Sequence, residues 1–182
     1  MPSVFLSPST QEYNAYVNEG NEEQYMNLIA DAMVPYLLAS GIEVGRNNPD
    51  EPVSAAIAAS NAGNYDLHLA IHSNAAPASL AGQLQGPDVY YYATSEAGKT
   101  AAEIFAGNLR WIYPDPSLVN IVPNTTLAEL RRVTAPSVLI ETAYHDNPAD
   151  AVWIQNNIQE IAYNFSVSTA DFLGVPFVEP QE

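Results

Sequence analysis

Three short, continuously apolar runs constrain this chain most: "SVFLS" (3–7), "DLHLAIH" (66–72) and "SVLIET" (137–142). Each is too short for a core helix, and each is bounded by polar or turn-forming residues. Such runs are the mark of strands buried on both faces. "DVYYY" (88–92) reads as a further strand, and "IEV" (42–44) alternates like one. Helical patterns lie between them. Asn21 caps a helix that starts at Glu22, with Tyr25, Met26, Ile29, Met33 and Leu37 at helical spacing and Gly41 at its end. "VSAAIAASNAG" (53–63) and "SEAGKTAAEIFAGNLRWI" (95–112) are two more helices. Asn147-Pro148 opens a last one that runs to about Leu173. Strands that alternate with helices imply an α/β domain, a three-layer sandwich with helices on both faces of the sheet. Residues 8–21 and 73–87 read as long loops.

The length of 182 residues suits one domain, taken as 1–175 with a tail at 176–182. The formal charge of -16 excludes binding to a nucleic-acid backbone as a main activity and disfavours anionic membranes. No apolar run approaches the ~18 residues of a membrane span. With no cysteine there is neither a disulfide nor a thiolate metal site. The opening residues carry no basic, apolar signal-peptide pattern, so a cytoplasmic origin is expected and the route to any extracellular target is unread.

In open α/β sheets, sites form at the carboxyl ends of strands. Four such ends carry polar groups here: Ser7 to Gln11, Arg46, His72 to Asn74, and Glu141 to Asn147. His68 and His72 lie on the same face of one strand, roughly 13 Å apart at the strand rise, so one metal ion cannot bind both. His72, at the strand's end, is the functional candidate. His68, between Leu67 and Leu69, reads as a hydrogen-bonded core histidine. Glu22 sits on the apolar face of its helix and needs a partner, although helix-dipole or capping duty is an alternative. Glu141 follows a buried strand. Burial raises a carboxyl pKa, which suits a general base, and an ion pair with Arg131, Arg132 or Arg46 is the competing reading.

These residues fall into longer blocks. "SNAGNYDLHLAIHSNA" (60–75) matches an "AN…aDlxxSIHxNA" pattern, and "LRRVTAPSVLIETAYHDN" (130–147) matches "LRxxxxPavLvExxFxxN". "GIEVGR" (41–46) looks like "GxxVxxTR", and Glu22 precedes Ile29-Ala30 in the register of a ligand glutamate. In these features the chain resembles the zinc-dependent N-acetylmuramoyl-L-alanine amidases of the Amidase_3 type, which hydrolyse bacterial peptidoglycan. The resemblance implies a mixed, mainly parallel sheet of about six strands. It implies zinc on Glu22 and His72, a catalytic Glu141, and Arg131 holding either Glu141 or a substrate carboxylate. Asn74 would orient ligand or peptide, or form a turn.

The family's "DPGH" turn reads "SPST" (7–10) here, so the first zinc-binding histidine becomes Thr10. Three repairs are open. His145, the remaining histidine near a strand end, ranks first. The Gln11 amide is second. In the third, the site is incomplete and the protein binds peptidoglycan without cutting it. A zinc peptidase acting on another amide is a further alternative.

Overall fold

The computed structural model describes residues 1–181. Six strands form one sheet in the order β2-β1-β3-β6-β4-β5. They are β1 (Ser3–Pro8), β2 (Glu43–Arg46), β3 (Leu67–Asn74), β4 (Asp88–Tyr92), β5 (Asn120–Asn124) and β6 (Ser137–Tyr144). Strands β2, β1, β3 and β6 are mutually parallel. The strand β4 runs antiparallel to β6, and β5 runs parallel to β4. This is the mixed, mainly parallel sheet expected. The central strands are buried on both faces, which is why their sequences are continuous apolar runs.

The helices are α1 (Glu22–Ala39), α2 (Val53–Gly63), α3 (Glu96–Ile112), α4 (Ala128–Arg131), α5 (Pro148–Asn156) and α6 (Ile158–Leu173). Helix α1 begins where the side chain of Asn21 accepts the Gln24 N–H. Val4, Leu6, Leu69, Ile71, Val138 and Ile140 point to one face of the sheet, into the large core that α1, α3 and α6 close. The other face carries Ala70 and Leu139, which pack on Leu130 of α4. On that face Phe5 also stacks on the His68 ring.

The strand β5 and the short helix α4 are additional to the elements read from the sequence, and the last helix departs from that reading. The last helix is two, because the backbone leaves helical geometry at Asn157 (φ -123°, ψ 23°). The tail is pinned in part: Phe177 packs on Tyr36 and Tyr163, and the Val178 N–H donates to Ser40 Oγ. Glu182, the last residue of that tail, lies outside the described residues. Gly86, before β4, has φ +98°, and a Cβ there would meet the Leu118 carbonyl at 2.5 Å, so this turn requires glycine.

Candidate active site

The parallel strands β1, β3 and β6 end at one edge of the sheet. Their register sets His72 beside Glu141 and Ser7 beside Ala70. His72 and Glu141 therefore share a face with Ser7, the face opposite the large core. They open on a cleft of about 740 Å³ lined also by Thr10, Gln11, Glu129 and the 49–53 loop.

Glu22, in the first turn of α1, is brought to His72 by the 9–21 loop. That loop is tied down by backbone bonds from Ser9 to Ile71, from Val17 to His145 and from Glu22 to Asn14. Glu22 is only 1% exposed. Its Oε1 lies 2.9 Å from His72 Nδ1 and accepts the Ser73 N–H at 3.3 Å, and its Oε2 accepts from Asn14 Nδ2 at 2.6 Å. Burial alone would raise the Glu22 pKa, but the hydrogen bond and charge of His72, with Asn14 and Ser9, hold it below the usual carboxylate range. The partner that Glu22 needs on its buried face is thus His72.

The other ring nitrogen of His72 meets a residue absent from the sequence reading. His72 Nε2 is 3.1 Å from Glu129 Oε2. Burial opposes charge on the imidazole, yet the hydrogen bonds it donates to Glu129 and Glu22 push its pKa well above the ordinary histidine value. The other Glu129 oxygen accepts from Ser7 Oγ at 2.5 Å and lies 3.1 Å from His68 Nε2. His68 Nδ1 is in turn 2.9 Å from Ser60 Oγ. His68 is fully buried and hydrogen-bonded, although its partner is a carboxylate at the site.

Glu141 is the least satisfied acid. Burial pushes its pKa up to about 7; the positive His72 opposes this, and Glu22, Asp88 and Glu129 add to it. Its Oε2 is buried without a hydrogen-bond partner in the protein. An unpartnered carboxylate oxygen at a cleft is a vacant acceptor for a water or substrate proton.

The sequence model of the N-acetylmuramoyl-L-alanine amidase family, Amidase_3, matches residues 9–170. The chain belongs to this family. No curated protein sequence matches it. Solved amidases share the fold at low identity. AmiC2 of Nostoc punctiforme superposes with a TM-score of 0.84 at 16% identity, covering 95% of this chain and 97% of its own. The catalytic domain of CwlV from Bacillus (Paenibacillus) polymyxa var. colistinus gives 0.81 at 17%, covering 97% and 100%. Ami1 of Mycobacterium smegmatis gives 0.79 at 20%, covering 95% and 97%. As an N-acetylmuramoyl-L-alanine amidase the protein is a hydrolase whose substrate is peptidoglycan.

Not every residue that the resemblance marked for this amidase site comes together in it. Arg131 is exposed and lines a separate depression with Tyr92, Ser95 and Pro136, so it does not hold Glu141. The same turn of α4 points Glu129 inward, to His72. Asn74 Oδ1 accepts its neighbour's Ala75 N–H at 2.9 Å, and its Nδ2 faces Asp88 at 3.5 Å. Asn74 is not among the residues that line the cleft. His145 is buried against Tyr16, with Nδ1 2.9 Å from Ser73 Oγ. Ser73 and His72 are successive residues of β3 and point to opposite faces, so His145 stands behind the site and does not line the cleft.

Gln11 does converge. Its Nε2 lies 3.5 Å from Glu22 Oε1 and 3.4 Å from His72 Nδ1. Among the described residues, no group of three or more His, Cys, Asp or Glu side chains could hold a metal ion. Glu22 and His72 would need a third donor of another kind to hold a metal, and the nearest amide is that of Gln11. Tetrahedral zinc with bonds of ~2.0–2.1 Å sets its donors roughly 3.3 Å apart. The three edges of 2.9, 3.4 and 3.5 Å are of that size. The amide nitrogen faces this point, and a half-turn of the amide would present its oxygen there instead. That releases contacts from Tyr13 and Asn14, of which the Tyr13 hydroxyl can reverse its role and Asn14 keeps Glu22.

Proposed function

We propose that this chain hydrolyses the amide between the lactyl group of N-acetylmuramic acid and L-alanine in a zinc-dependent reaction. Glu22, His72 and the Gln11 amide oxygen would hold the metal, and Glu141 would act as general base and then general acid. The observation that carries this reading is the orphaned Glu141 Oε2, buried at the cleft beside the Glu22–His72 pair. The size of the Glu22–His72–Gln11 triangle supports zinc. His145 drops behind Gln11 as third donor because it faces away.

When bound, zinc supplies Lewis acidity, which acidifies a water and polarises a carbonyl. The rest is the work of the chain. Glu141 Oε2 takes the proton of the attacking water and passes it to the leaving nitrogen of L-alanine. A carboxyl with a pKa of about 7 suits both transfers near neutral pH. Asp88, across β4 from Glu141, adds negative charge that keeps this carboxyl protonatable. Glu22 and His72, each fixed by a second partner, keep their donor atoms aimed at one point.

The test is zinc content and product release together. About one zinc per chain is expected, with new L-alanine amino termini released from muropeptides. Glu141→Gln should keep zinc and lose ~10²–10⁴-fold in turnover. Full activity after chelation refutes the zinc dependence. Release of a different amino terminus would make the protein a peptidase, and binding without cleavage would make it a peptidoglycan-binding module.

A further inference from the structure

Four buried polar side chains outside the assigned donor set, Ser60, His68, Ser7 and Glu129, form one connected chain that ends on His72. We propose that Glu129 is the positioning residue of the site: it accepts the His72 Nε2–H, and by doing so presents Nδ1 to Glu22 and Gln11. This rests on the zinc reading above and deepens it.

A carboxylate 4% exposed is strongly disfavoured unless donors surround it. Glu129 has three: Ser7 Oγ and His68 Nε2 on one oxygen, His72 Nε2 on the other. His68 can serve both neighbours in one tautomer, with Nε2–H given to Glu129 and Nδ1 accepting the Ser60 hydroxyl at 2.9 Å. Phe5 stacks on its ring and fixes its plane. Glu129 Oε1 is therefore saturated from below, and Oε2 is left for His72 alone. Leu130, 3% exposed against Ala70 and Leu139, anchors the single turn of α4 that delivers the carboxylate.

The consequence for His72 is tautomeric. An imidazole that donates Nε2–H to a carboxylate has its lone pair, once the second proton leaves, on Nδ1. Nδ1 is the atom 2.9 Å from Glu22 and 3.4 Å from Gln11. A carboxylate behind a ligating imidazole raises its basicity and fixes its ring.

The experiment uses ¹⁵N-histidine protein, loaded with zinc and metal-free, and reads which His72 nitrogen carries a proton from two-bond ¹H–¹⁵N correlations. A protonated Nε2 and a metal-bound Nδ1 are expected in the loaded wild type. Glu129→Gln should weaken zinc affinity by ~10–100-fold, measured by chelator competition, with circular dichroism unchanged. The wild-type spectrum decides the matter even if the variant fails to fold: an unprotonated Nε2, or metal on Nε2, overturns the inference. So does a folded Glu129→Gln with wild-type zinc affinity. If the wild type binds no zinc, the zinc reading fails by itself, and the metal-free spectra still test the Nε2–H bond to Glu129.

Discussion

At the scale of single residues, the site is a contest between acids for one cation. Glu22 and Glu129 each hold a nitrogen of His72, and Glu141 is left with burial and like charge. This has a consequence for stability in chelator, where no metal intervenes. Glu141 titrates near the usual 4.5 when unfolded and at about 7 when folded. Below 4.5 both states are protonated and the residue costs nothing. As pH rises through this window the unfolded chain loses the proton first, so stability falls, and above about 7 the loss is complete. A tenfold difference in proton affinity between the two states is worth about 1.4 kcal/mol. Glu141→Gln should therefore match the wild type at pH 4 and exceed it at pH 8 by ~1–3 kcal/mol in urea titrations. Equal stability at pH 8 would mean that Glu141 ionises freely. The proposed third donor has its own test. Gln11→Ala should weaken zinc by more than the ~10–100-fold typical of an outer partner, and His145→Ala should leave it near wild type. The opposite order would return His145 to the metal. Much of this was legible in the sequence: the strand end of "DLHLAIH" marked His72, and the apolar face of α1 marked Glu22. Glu129 was not. In "TLAELRRV" it stands beside two arginines in a polar stretch and reads as solvated. Only the docking of Leu130 turns it inward, and that contact is made with residues 60 and 9 positions away, Ala70 and Leu139.

At the scale of elements, the readable pieces are those whose burial is written into their own composition. Helix α2 and strand β4 have the bounds their sequences suggest, since turn residues flank them closely. The strand β5 escaped because it is a half-exposed edge, "NIVPN", whose Pro123 argues against a strand interior and is tolerated only at such an edge. The helix α4 escaped because one turn has no periodicity to detect. Yet α4 does more for the site than its length suggests, because it carries Glu129 on one side and buries Leu130 on the other. Leu130→Ala should cost ~2–4 kcal/mol by loss of a buried side chain from a small cluster. It should also weaken zinc, since the carboxylate loses its anchor. Thermal melts and zinc titration on the same variant check both. Destabilisation with unaltered zinc affinity would show that the turn keeps its place without Leu130.

At the scale of the molecule, charge is the dominant property. The net charge is -16, and the cleft shares it: Glu12, Glu23, Asp50 and Glu51 line its rim, and among the described residues no lysine or arginine does. Arg46, near the same sheet edge, is already paired with Asp31 at 2.8 Å. Peptidoglycan stem peptides carry free carboxylates unless these are amidated, so an anionic substrate approaches an anionic mouth. Such repulsion acts on encounter more than on chemistry, and salt screens it. The Debye length falls from ~30 Å at 0.01 M salt to ~8 Å at 0.15 M. The specificity constant kcat/KM on an anionic muropeptide should therefore rise several-fold over that range, while an amidated muropeptide should respond much less. Asp50 and Glu51 are exposed and take no part in the donor set, so Asp50→Asn with Glu51→Gln tests the cause directly. The double variant should be faster than wild type at low salt on the anionic substrate, equal to it at high salt, and unchanged in zinc content. A rate that falls as salt rises, or a double variant with the same salt profile as wild type, would mean that the rim carboxylates do not govern which stems reach Glu141.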